Sequence, residues 1–314
     1  MKYLVFFSLL FLLGCTPKEL KKISRTQVAM GTFCTITVNE KKQAEQGFKQ
    51  LKKLENILSS YQTNAQVSIL NTQGTIPSHP ILLDIFKKSK DYHEQTQGYF
   101  DITIGSITKK LYHFGNEERI PTREELMHAP LGMKYIVINK KTIHLKNDIT
   151  IDLGGIGKGF SVDYLSTYFQ RQGIITGQIA LSGDIRCLSQ CEVSIQDPFE
   201  NNKIIATLTS KKPNLSISTS GTYRRYIKNK KYHHLINPKT ATQGKSFISV
   251  SLLTYANNTK IDAYSTAISV MSEVEALEFL KKHTEIGYIL ILNNGEVIHR
   301  NLNKFVNVSW TDTK

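Results

Sequence analysis

Short β-rich runs, many of them following one another without a helix between, are the feature that most limits the fold of this chain. In the second half these runs outnumber the two segments that have helical spacing. A doubly wound parallel sheet would need strict βαβ alternation, which this order of segments lacks. We therefore predict an α+β fold of mixed or antiparallel sheets with flanking helices. The runs are residues 175–181, 193–196, 204–208, 215–218, 223–228 and 248–254.

The first half contains one long strand pattern and two helical patterns. Apolar residues that alternate around Gly31 predict a strand over residues 26–38. A first helix is predicted over residues 44–58 and a second over 81–92. Short strands are predicted at 134–139, 142–145 and 149–153. The apolar positions of the first helix are Ala44, Gly47, Phe48, Leu51, Leu54 and Leu58.

Two helices and a hairpin are predicted in the second half. One helix starts after Gly157 and runs to about residue 170, and the other covers 262–271, with a continuation to 280 left open. Strands over 289–292 and 297–299 flank Asn293-Asn294-Gly295, and Asn-Gly favours a tight hairpin turn.

The N-terminus reads as an export signal. Lys2 precedes an apolar run of about eleven residues, too short for a bilayer-spanning helix of about 20. The run ends in Leu12-Leu13-Gly14-Cys15, which resembles the lipobox of bacterial lipoproteins with Cys15 as the acylated residue. We predict a signal peptide over 1–14, a tether over 15–25 and one domain over 26–310. An ordinary signal peptide is the alternative.

The net charge of +14 requires an explanation. Lys18, Lys21, Lys22 and Arg25 follow the predicted anchor and could rest on anionic lipid at roughly 1 kcal/mol each. Other basic residues are spread out, and no signature of an RNA- or DNA-binding motif is present, so no nucleic-acid partner is expected. An anionic ligand and an acidic membrane explain the charge equally well.

The cysteines do not predict a zinc site. Cys34, Cys187 and Cys191 remain after the anchor, without a CxxC pair or a Cys/His cluster. A disulfide between Cys187 and Cys191 is permitted but left open, and Cys34 is expected to be buried in a strand.

The glycine-rich segment 152–159 carries the densest chemical signal. Four glycines in six residues lie between a predicted strand and a predicted helix, where backbone N–H groups can approach a phosphate. Asp152 stands at the first glycine position of a P-loop and Gly159 follows Lys158, so that motif is excluded. The spacing also excludes the Rossmann fingerprint. The alternative is a purely structural turn.

A second segment, 260–267, places Asp262 and Thr266 four residues apart. On a helix they share one face, and a carboxylate beside a hydroxyl suits a hard cation that bridges phosphate oxygens. The alternative is that Asp262 only caps the helix. A third segment places hydroxyls, Arg224, Arg225 and the pair His233-His234 close in sequence.

Together, and in this order, these segments resemble the motif set of the ApbE family of flavin transferases, over about residues 26–300. Leu54 and Glu55 with Ser59 and Tyr61, followed by Ser68 and Asn71, resemble the family's first helix and the loop after it. The remaining matches are residues 30–32, 98–105, 152–159, 182–186, 219–224, 234–240 and 261–266. Departures from the family pattern are Ile102, Ser182, Asn237, Ala241 and Ile261.

The resemblance implies a Mg²⁺-dependent transfer of FMN from FAD onto a Ser or Thr of an acceptor protein, with release of AMP. It implies metal ligation by the side chains of Asp262 and Thr266 and by the carbonyls of Gly155 and Ser265. His234, rather than His233, is the expected proton acceptor.

The resemblance also implies where the substrate FAD binds, in a cleft between two subdomains. Lys158 is expected to contact phosphate or flavin and to take part in catalysis. The other residues expected to bind FAD are Met30, Tyr61, Asp101, Gly154, Gly155, Thr219 and Gly221.

The expected partners are acceptor flavoprotein subunits of Nqr- or Rnf-type membrane redox complexes. The expected location is the outer, periplasmic face of the cytoplasmic membrane, held by the lipid on Cys15. Because Thr16 is not the aspartate that retains many lipoproteins there, outer-membrane sorting stays open. Three alternatives also stay open: an FAD hydrolase, a non-catalytic FAD-binding lipoprotein and a role in thiamine biosynthesis.

Overall fold

The computed structural model describes residues 22–311. The predicted signal peptide and Cys15 lie outside this range. Within it, no helix combines the length and apolar character needed to cross a bilayer. The α-helices in this range are α1 (Lys41–Leu58), α2 (Gln66–Gln73), α3 (Pro80–Gln95), α4 (Gly105–Thr108), α5 (Arg123–Met127), α6 (Gly157–Arg171), α7 (Asn258–Ile268) and α8 (Glu273–Lys282).

The strands belong to one large sheet and three small ones. They are β1 (Ile23–Ala29), β2 (Thr32–Val38), β3 (Thr75–Pro77), β4 (Ile136–Ile138), β5 (Thr142–Leu145), β6 (Gln178–Leu181), β7 (Asp184–Cys187), β8 (Glu192–Gln196), β9 (Ile204–Ser210), β10 (Ser216–Gly221), β11 (Ile236–Asn237), β12 (Thr242–Gln243), β13 (Phe247–Thr254), β14 (Gly287–Leu292), β15 (Val297–Arg300) and β16 (Val306–Trp310). Short 3₁₀ helices cover Met133–Tyr135, Lys230–Tyr232 and Leu302–Lys304.

The large sheet has eight strands in the order β1-β2-β6-β7-β10-β13-β14-β15, and every neighbouring pair is antiparallel. The order β16-β9-β8 forms a second sheet, β3-β5-β4 a third, and β11-β12 pair alone. The predicted α+β class with antiparallel sheets is confirmed.

The large sheet separates two cores. On one face, the sheet residues Ile36, Ile179 and Leu252 share a core with helices that include α1 and α6. These two helices contribute Leu51 and Phe169. The other face carries residues that pack against the β16-β9-β8 sheet. Alternate residues of a strand point to opposite faces, and the central strands β13 and β14 accordingly contribute buried residues to both cores. The residues of this second core include Ile217, Leu253, Ile289, Leu208 and Val306.

A third, smaller core joins two segments that are far apart in sequence. Tyr112 and Phe114 follow α4, and they cluster with Ile227 and Ile236 from the region around β11. The rings of Tyr112 and Phe114 stack with centroids 5.2 Å apart. This core brings residues near 109 and residues near 225 to one place.

The strand predicted over 26–38 is wrong as a single element, because the chain turns at Met30 and Gly31. Their φ angles are 53° and 71°. Positive φ at both central residues is the type I′ geometry of two-residue hairpins. Because the alternation of apolar residues continues through the turn, the sequence pattern does not indicate the turn. β1 begins at Ile23, inside the segment predicted as tether, because it pairs with β2 along its full length.

Two other predicted strands are wrong. Residues 149–153 form only one isolated bridge, between Thr150 and Ile104. The Asn71 side chain instead accepts from the N–H of Ile151 at 2.7 Å and donates to its carbonyl at 2.9 Å, in place of a neighbouring strand. Residues 223–228 form turns, with one bridge between Tyr226 and His233.

The remaining differences concern boundaries and short elements that the sequence did not predict, namely α2, α4, α5, β3, β7, β11, β12 and β16. Residues 134–139 divide into a 3₁₀ turn and the shorter β4. Ser68 and Asn71, matched to a loop, lie in α2. The helix expected to start near Asp262 begins at Asn258 and ends at Ile268, and α8 is separate. The other predicted helices, the remaining runs and the last hairpin are confirmed within a few residues.

Candidate active site

The glycine-rich segment packs against α7 so closely that two of its glycines cannot be replaced without a shift. A Cβ atom on Gly155 would lie 2.8 Å from Cγ2 of Thr266, and one on Gly159 would lie 2.7 Å from Cβ of Asp262. The structural explanation therefore holds for these two positions. Gly154 is exposed, and its N–H donates to Oδ1 of Asp152 at 2.9 Å.

Lys158 lies between two buried carboxylates. Its Nζ is 2.8 Å from Oδ2 of Asp184 and 3.4 Å from Oδ1 of Asp262. Burial opposes the charge of Lys158, but the two carboxylates raise its pKa above the ordinary value. Burial and the neighbouring Asp262 raise the pKa of Asp184 to about 7, against the effect of Lys158. The result is a buried cluster that keeps its ammonium charged.

Asp262 belongs to α7, but its side chain contacts the N-terminal end of α6. Its Oδ2 accepts from the N–H of Gly159 at 2.8 Å. The first N–H groups of α7 are capped by Asp163 of α6, which accepts from the N–H of Asn258 at 3.0 Å and of Thr259 at 2.8 Å. Asp262 is thus not the cap of α7, and α6 and α7 are joined by carboxylates in both directions.

Alternate residues of β10 take part in different environments. Ser218 donates to Oδ1 of Asp184 at 2.7 Å, and the hydroxyls of Ser220 and Ser265 are 2.8 Å apart. The Thr219 hydroxyl is 2.9 Å from that of Ser251. Strand alternation places Thr219 on the opposite face of the sheet from the two serines. Thr219 therefore does not join the Lys158 cluster.

The oxygen atoms near Lys158 fit a hard cation. The hydroxyl of Thr266 lies 3.5 Å from the carbonyl of Gly155, one helical turn after Asp262. Carboxylate, hydroxyl and carbonyl oxygens are the ligands that Mg²⁺ accepts. Residues 22–311 contain no group of three His, Cys, Asp or Glu side chains able to hold a metal, so a site here depends on backbone and hydroxyl oxygens.

The carbonyl of Ser265, predicted as a metal ligand, is hydrogen-bonded inside α7, while the Ser265 hydroxyl lies 3.4 Å from that of Ser218, which donates to Asp184. The Ser265 carbonyl accepts from the N–H of Ser269 at 3.0 Å and from the Ser269 hydroxyl at 2.7 Å. Both of its lone-pair directions are therefore used inside the helix. The oxygens that remain for a cation are those of Asp262, Thr266 and Gly155.

A second lysine marks the other part of the site. Nζ of Lys109 lies 2.8 Å from the ring centroid of Tyr61, whose hydroxyl accepts from the Arg225 guanidinium at 2.5 Å. Lys109 Nζ is buried and has no hydrogen-bond partner among residues 22–311. Burial lowers the pKa of Lys109 to about 8, although Asp152 opposes the shift. Asp152 is held by the Thr108 hydroxyl at 2.7 Å.

The two adjacent histidines have different roles. His233 is buried, its Nε2 is 3.0 Å from the carbonyl of Gly244, and its Nδ1 accepts from the N–H of Leu235 at 3.3 Å. Both ring nitrogens are therefore used. His234 has Nδ1 3.1 Å from the carbonyl of Arg225. A carbonyl only accepts, so Nδ1 carries the proton and Nε2 keeps a free lone pair.

Burial, followed by the charge of Arg225, lowers the pKa of His234 to about 4. Lys158 contributes to the same shift, so the ring lies within electrostatic range of the Lys158 cluster. The imidazole is consequently neutral near pH 7, as a proton acceptor must be.

Three of the predicted flavin residues hold local structure. Met30 occupies the β1–β2 turn and packs against the helical core. Asp101 is buried, and its Oδ1 accepts from both the N–H and the hydroxyl of Thr103 at 2.7 Å. Gly221 ends β10, where a Cβ atom would lie 2.5 Å from the ring of Tyr223. Of the predicted flavin side chains, Tyr61 is the one that contacts the Lys109 group.

Four residues that the sequence analysis did not assign belong to the site: Lys109, Asp152, Asp184 and Arg225. Asp184 lies inside a matched motif, so its position was a usable signal. Lys109 had no signal, because its burial depends on Tyr61 and on the third core. A cavity of about 540 Å³ lies elsewhere, between α3, α6 and the start of α7, and none of the predicted site residues lines it.

Known proteins resemble this chain over most of its length. The sequence model of the ApbE family matches residues 30–290. The FAD:protein FMN transferase of Escherichia coli K12 is 26% identical over 316 aligned positions, which cover 90% of this chain and 89% of that protein. The ApbE protein of Thermotoga maritima superposes with a TM-score of 0.82 at 23% identity, covering 90% of this chain and 98% of that one. The flavin transferase ApbE of Vibrio cholerae gives 0.77 at 23% identity, covering 91% and 99%.

Proposed function

The chain belongs to the ApbE family, and we propose that it is an FAD:protein FMN transferase that moves FMN from FAD to a Ser or Thr hydroxyl of an acceptor protein, with release of AMP. The observation that carries this proposal is Lys158 between the buried carboxylates of Asp184 and Asp262, beside the oxygens of Gly155 and Thr266. Such a site suits a pyrophosphate, because it offers a fixed positive charge and oxygen ligands together.

Asp262, Thr266 and the Gly155 carbonyl would hold Mg²⁺. When bound, Mg²⁺ would neutralise charge that develops on the phosphate oxygens of the AMP leaving group. Lys158 supplies a point charge that orients the pyrophosphate, and Asp184 fixes the Lys158 ammonium in place. These residues position the substrate and do not form a covalent bond with it.

His234 is the proposed proton acceptor. The acceptor hydroxyl oxygen attacks the phosphorus of the FMN portion, the bond from that phosphorus to the AMP oxygen breaks, and the hydroxyl proton moves to Nε2 of His234. The hydrogen bond from Nδ1 to the Arg225 carbonyl keeps Nε2 available.

The flavin is proposed to lie near Tyr61 and Lys109. An aromatic ring and an ammonium without a hydrogen-bond partner suit a planar ligand that carries electronegative oxygens. The role of Gly154 toward the phosphates stays a prediction from the resemblance, because its N–H donates to Asp152. The proposed roles of Met30 and Asp101 are to shape the wall of this cleft, while those of Thr219 and Gly221 stay predictions from the resemblance.

We propose that the protein is exported and lipid-anchored through Cys15, and that it acts on flavoprotein subunits of Nqr- or Rnf-type redox complexes. The support is the lipobox-like sequence and the family, since Cys15 lies outside the described residues. Metabolic labelling with an alkyne fatty acid would test the anchor: wild type should be labelled and Cys15→Ala should not.

The main test is incubation of the full-length chain in detergent with FAD, Mg²⁺ and the flavin-acceptor domain of an Rnf-type complex. Intact mass should show that the acceptor gains FMN less water. EDTA and His234→Gln should abolish the gain. His128→Gln, a change at an exposed histidine, is the matched control and should transfer normally.

Free FMN and AMP with an unmodified acceptor in every trial would contradict the transferase proposal and favour the hydrolase alternative. Tight FAD binding without any cleavage would favour the non-catalytic alternative. Normal transfer by His234→Gln would remove His234 from the mechanism.

A further inference from the structure

Residues 224–232, called here the basic loop, concentrate positive charge and form no ion pair within residues 22–311. The loop contains five cationic residues and no Asp or Glu. By contrast, exposed lysines such as Lys41, Lys52 and Lys203 each have a glutamate partner. The cationic residues of the loop are Arg224, Arg225, Lys228, Lys230 and Lys231.

The basic loop has a defined conformation. Ile227 is 3% exposed and belongs to the third core. Its N–H donates to the carbonyl of Tyr232 at 3.1 Å, and Tyr226 forms a bridge with His233. Because the loop is folded, its exposed lysines are held in one region, which lowers the entropy cost of binding a charged partner.

The basic loop is joined directly to the proposed proton acceptor. The carbonyl of Arg225 accepts from the N–H of His234 at 3.2 Å and is 3.1 Å from its Nδ1. Arg225 also contacts Tyr61. Any molecule that binds the exposed lysines is therefore placed at the rim of the site in which the hydroxyl must react.

We propose that the basic loop is the docking surface for an acidic segment of the acceptor protein, next to the hydroxyl that is modified. This inference rests on the proposed function. Charge complementarity fits an acidic polypeptide, because opposite potentials steer encounter and fix the orientation of a partner. An anionic lipid headgroup would also be attracted, but a membrane lying on this loop would cover the approach to His234.

The test uses two fluorescent peptides of equal length. Each contains one threonine, flanked by three aspartates in the first and by three asparagines in the second. Anisotropy measures their binding to the full-length chain in detergent with FAD, and intact mass after addition of Mg²⁺ shows whether they gain FMN. We expect the aspartate peptide to bind about tenfold more tightly at low salt, and this preference to shrink at high salt, as for exposed charge pairs.

The triple variant Lys228→Gln, Lys230→Gln, Lys231→Gln should lose most of that preference. Its matched control changes Lys42, Lys49 and Lys281, which are also exposed and unpaired in the described structure, to Gln. Both variants have the same net charge, so the control should keep the preference. FAD binding should be unchanged in both, which verifies folding.

Equal affinities for the two peptides, or equal losses in both triple variants, would overturn the docking surface. A second result would also overturn it: the loop variant keeps the peptide preference but no longer binds phosphatidylcholine vesicles that contain phosphatidylserine. The partner of the loop would then be a lipid. Loop-dependent binding of a peptide that never gains FMN would support the surface and count against the transferase. Equal gain of FMN by both peptides, whatever the loop sequence, would support the transferase and count against the docking surface.

Discussion

Lys158 and Lys109 are both half-buried lysines of the candidate site, but their environments are opposite. Lys158 has carboxylate oxygens at 2.8 and 3.4 Å, and its pKa is raised. Lys109 has no hydrogen-bond partner in residues 22–311, and burial lowers its pKa to about 8. A buried charge is costly unless it is paired. The Lys158 ammonium therefore has its hydrogen-bond acceptors within the protein, whereas the Lys109 ammonium has Asp152 nearby but lacks, in residues 22–311, a hydrogen-bond acceptor that a ligand would provide.

The largest expected effect comes from Lys158→Met. The change leaves Asp184 and Asp262 buried side by side without their cation, and breaking a buried pair in this way costs about 3–5 kcal/mol. Denaturant unfolding at pH 7 would measure the loss. The stability should recover partly at low pH, where a carboxylate of the pair can be protonated. A loss below about 1 kcal/mol, within the range of exposed pairs, would mean that the cluster is not electrostatically coupled.

Two substitutions of Asp262 distinguish the structural role of the cluster from its chemical role. Asp262→Ala leaves the N–H of Gly159 without its acceptor, which should cost about 1–3 kcal/mol of unfolding free energy. Asp262→Asn keeps an oxygen acceptor and should be more stable than the alanine variant. Both variants should lose Mg²⁺-dependent turnover of FAD, because neither has the carboxylate.

The stability difference would be measured by thermal unfolding and the turnover by release of AMP. Normal turnover by Asp262→Asn would show that a carboxylate is not needed there, and it would remove Asp262 from the proposed metal ligands.

Lys109→Met should act in the opposite direction from Lys158→Met. At pH 7 it should raise the free energy of unfolding by roughly 1 kcal/mol, since the buried ammonium is replaced by an apolar chain of similar shape. FAD binding should weaken about tenfold, because a charged donor to the ligand is lost. Lys109→Arg, which keeps the charge, is the control for the binding effect. Equal FAD affinity in Lys109→Met and wild type would place the ligand elsewhere.

The stability gain has a defined pH dependence. The pKa of Lys109 is about 8 in the folded chain and about 10.4 when unfolded. Between these values the unfolded chain binds a proton that the folded chain has lost, so wild-type stability rises with pH. The difference between Lys109→Met and wild type should therefore be largest below pH 8 and should decrease toward pH 10.4. A pH-independent difference would show that packing, not charge, causes it.

The same contrast explains what could be predicted from the sequence. Apart from Asp184 of β7, the Lys158 cluster is built from two segments that each contain several of its residues, so spacing within 152–159 and 260–267 was informative. Helix α1 was predictable for the same reason, because its apolar positions recur locally. The Lys109 region combines side chains that depend on tertiary packing of the third core, and no local pattern marks it.

Errors occurred where a side chain replaced backbone pairing or where a pattern crossed a turn. Asn71 satisfies the backbone of Ile151, so an apolar run that reads as a strand pairs with no neighbouring strand. At Met30 the alternation continued across a type I′ turn. The disulfide between Cys187 and Cys191, left open by the sequence, is present, with Cα atoms 5.8 Å apart. Its formation depends on backbone geometry, which cysteine spacing does not define.

The smallest expected effect concerns the hydroxyl of Tyr61. Tyr61→Phe removes the acceptor of the Arg225 guanidinium but keeps the ring beneath Lys109. Tyr61 is 50% exposed, so water can replace the lost hydrogen bond, and the unfolding free energy should fall by about 0.5 kcal/mol. FAD affinity should fall about threefold in Tyr61→Phe and clearly further in Tyr61→Ala, which removes the ring. Isothermal titration calorimetry would compare them. If the two variants bind FAD equally, the ring makes no contact with the flavin, and the ligand that accepts from Lys109 does not stack on Tyr61.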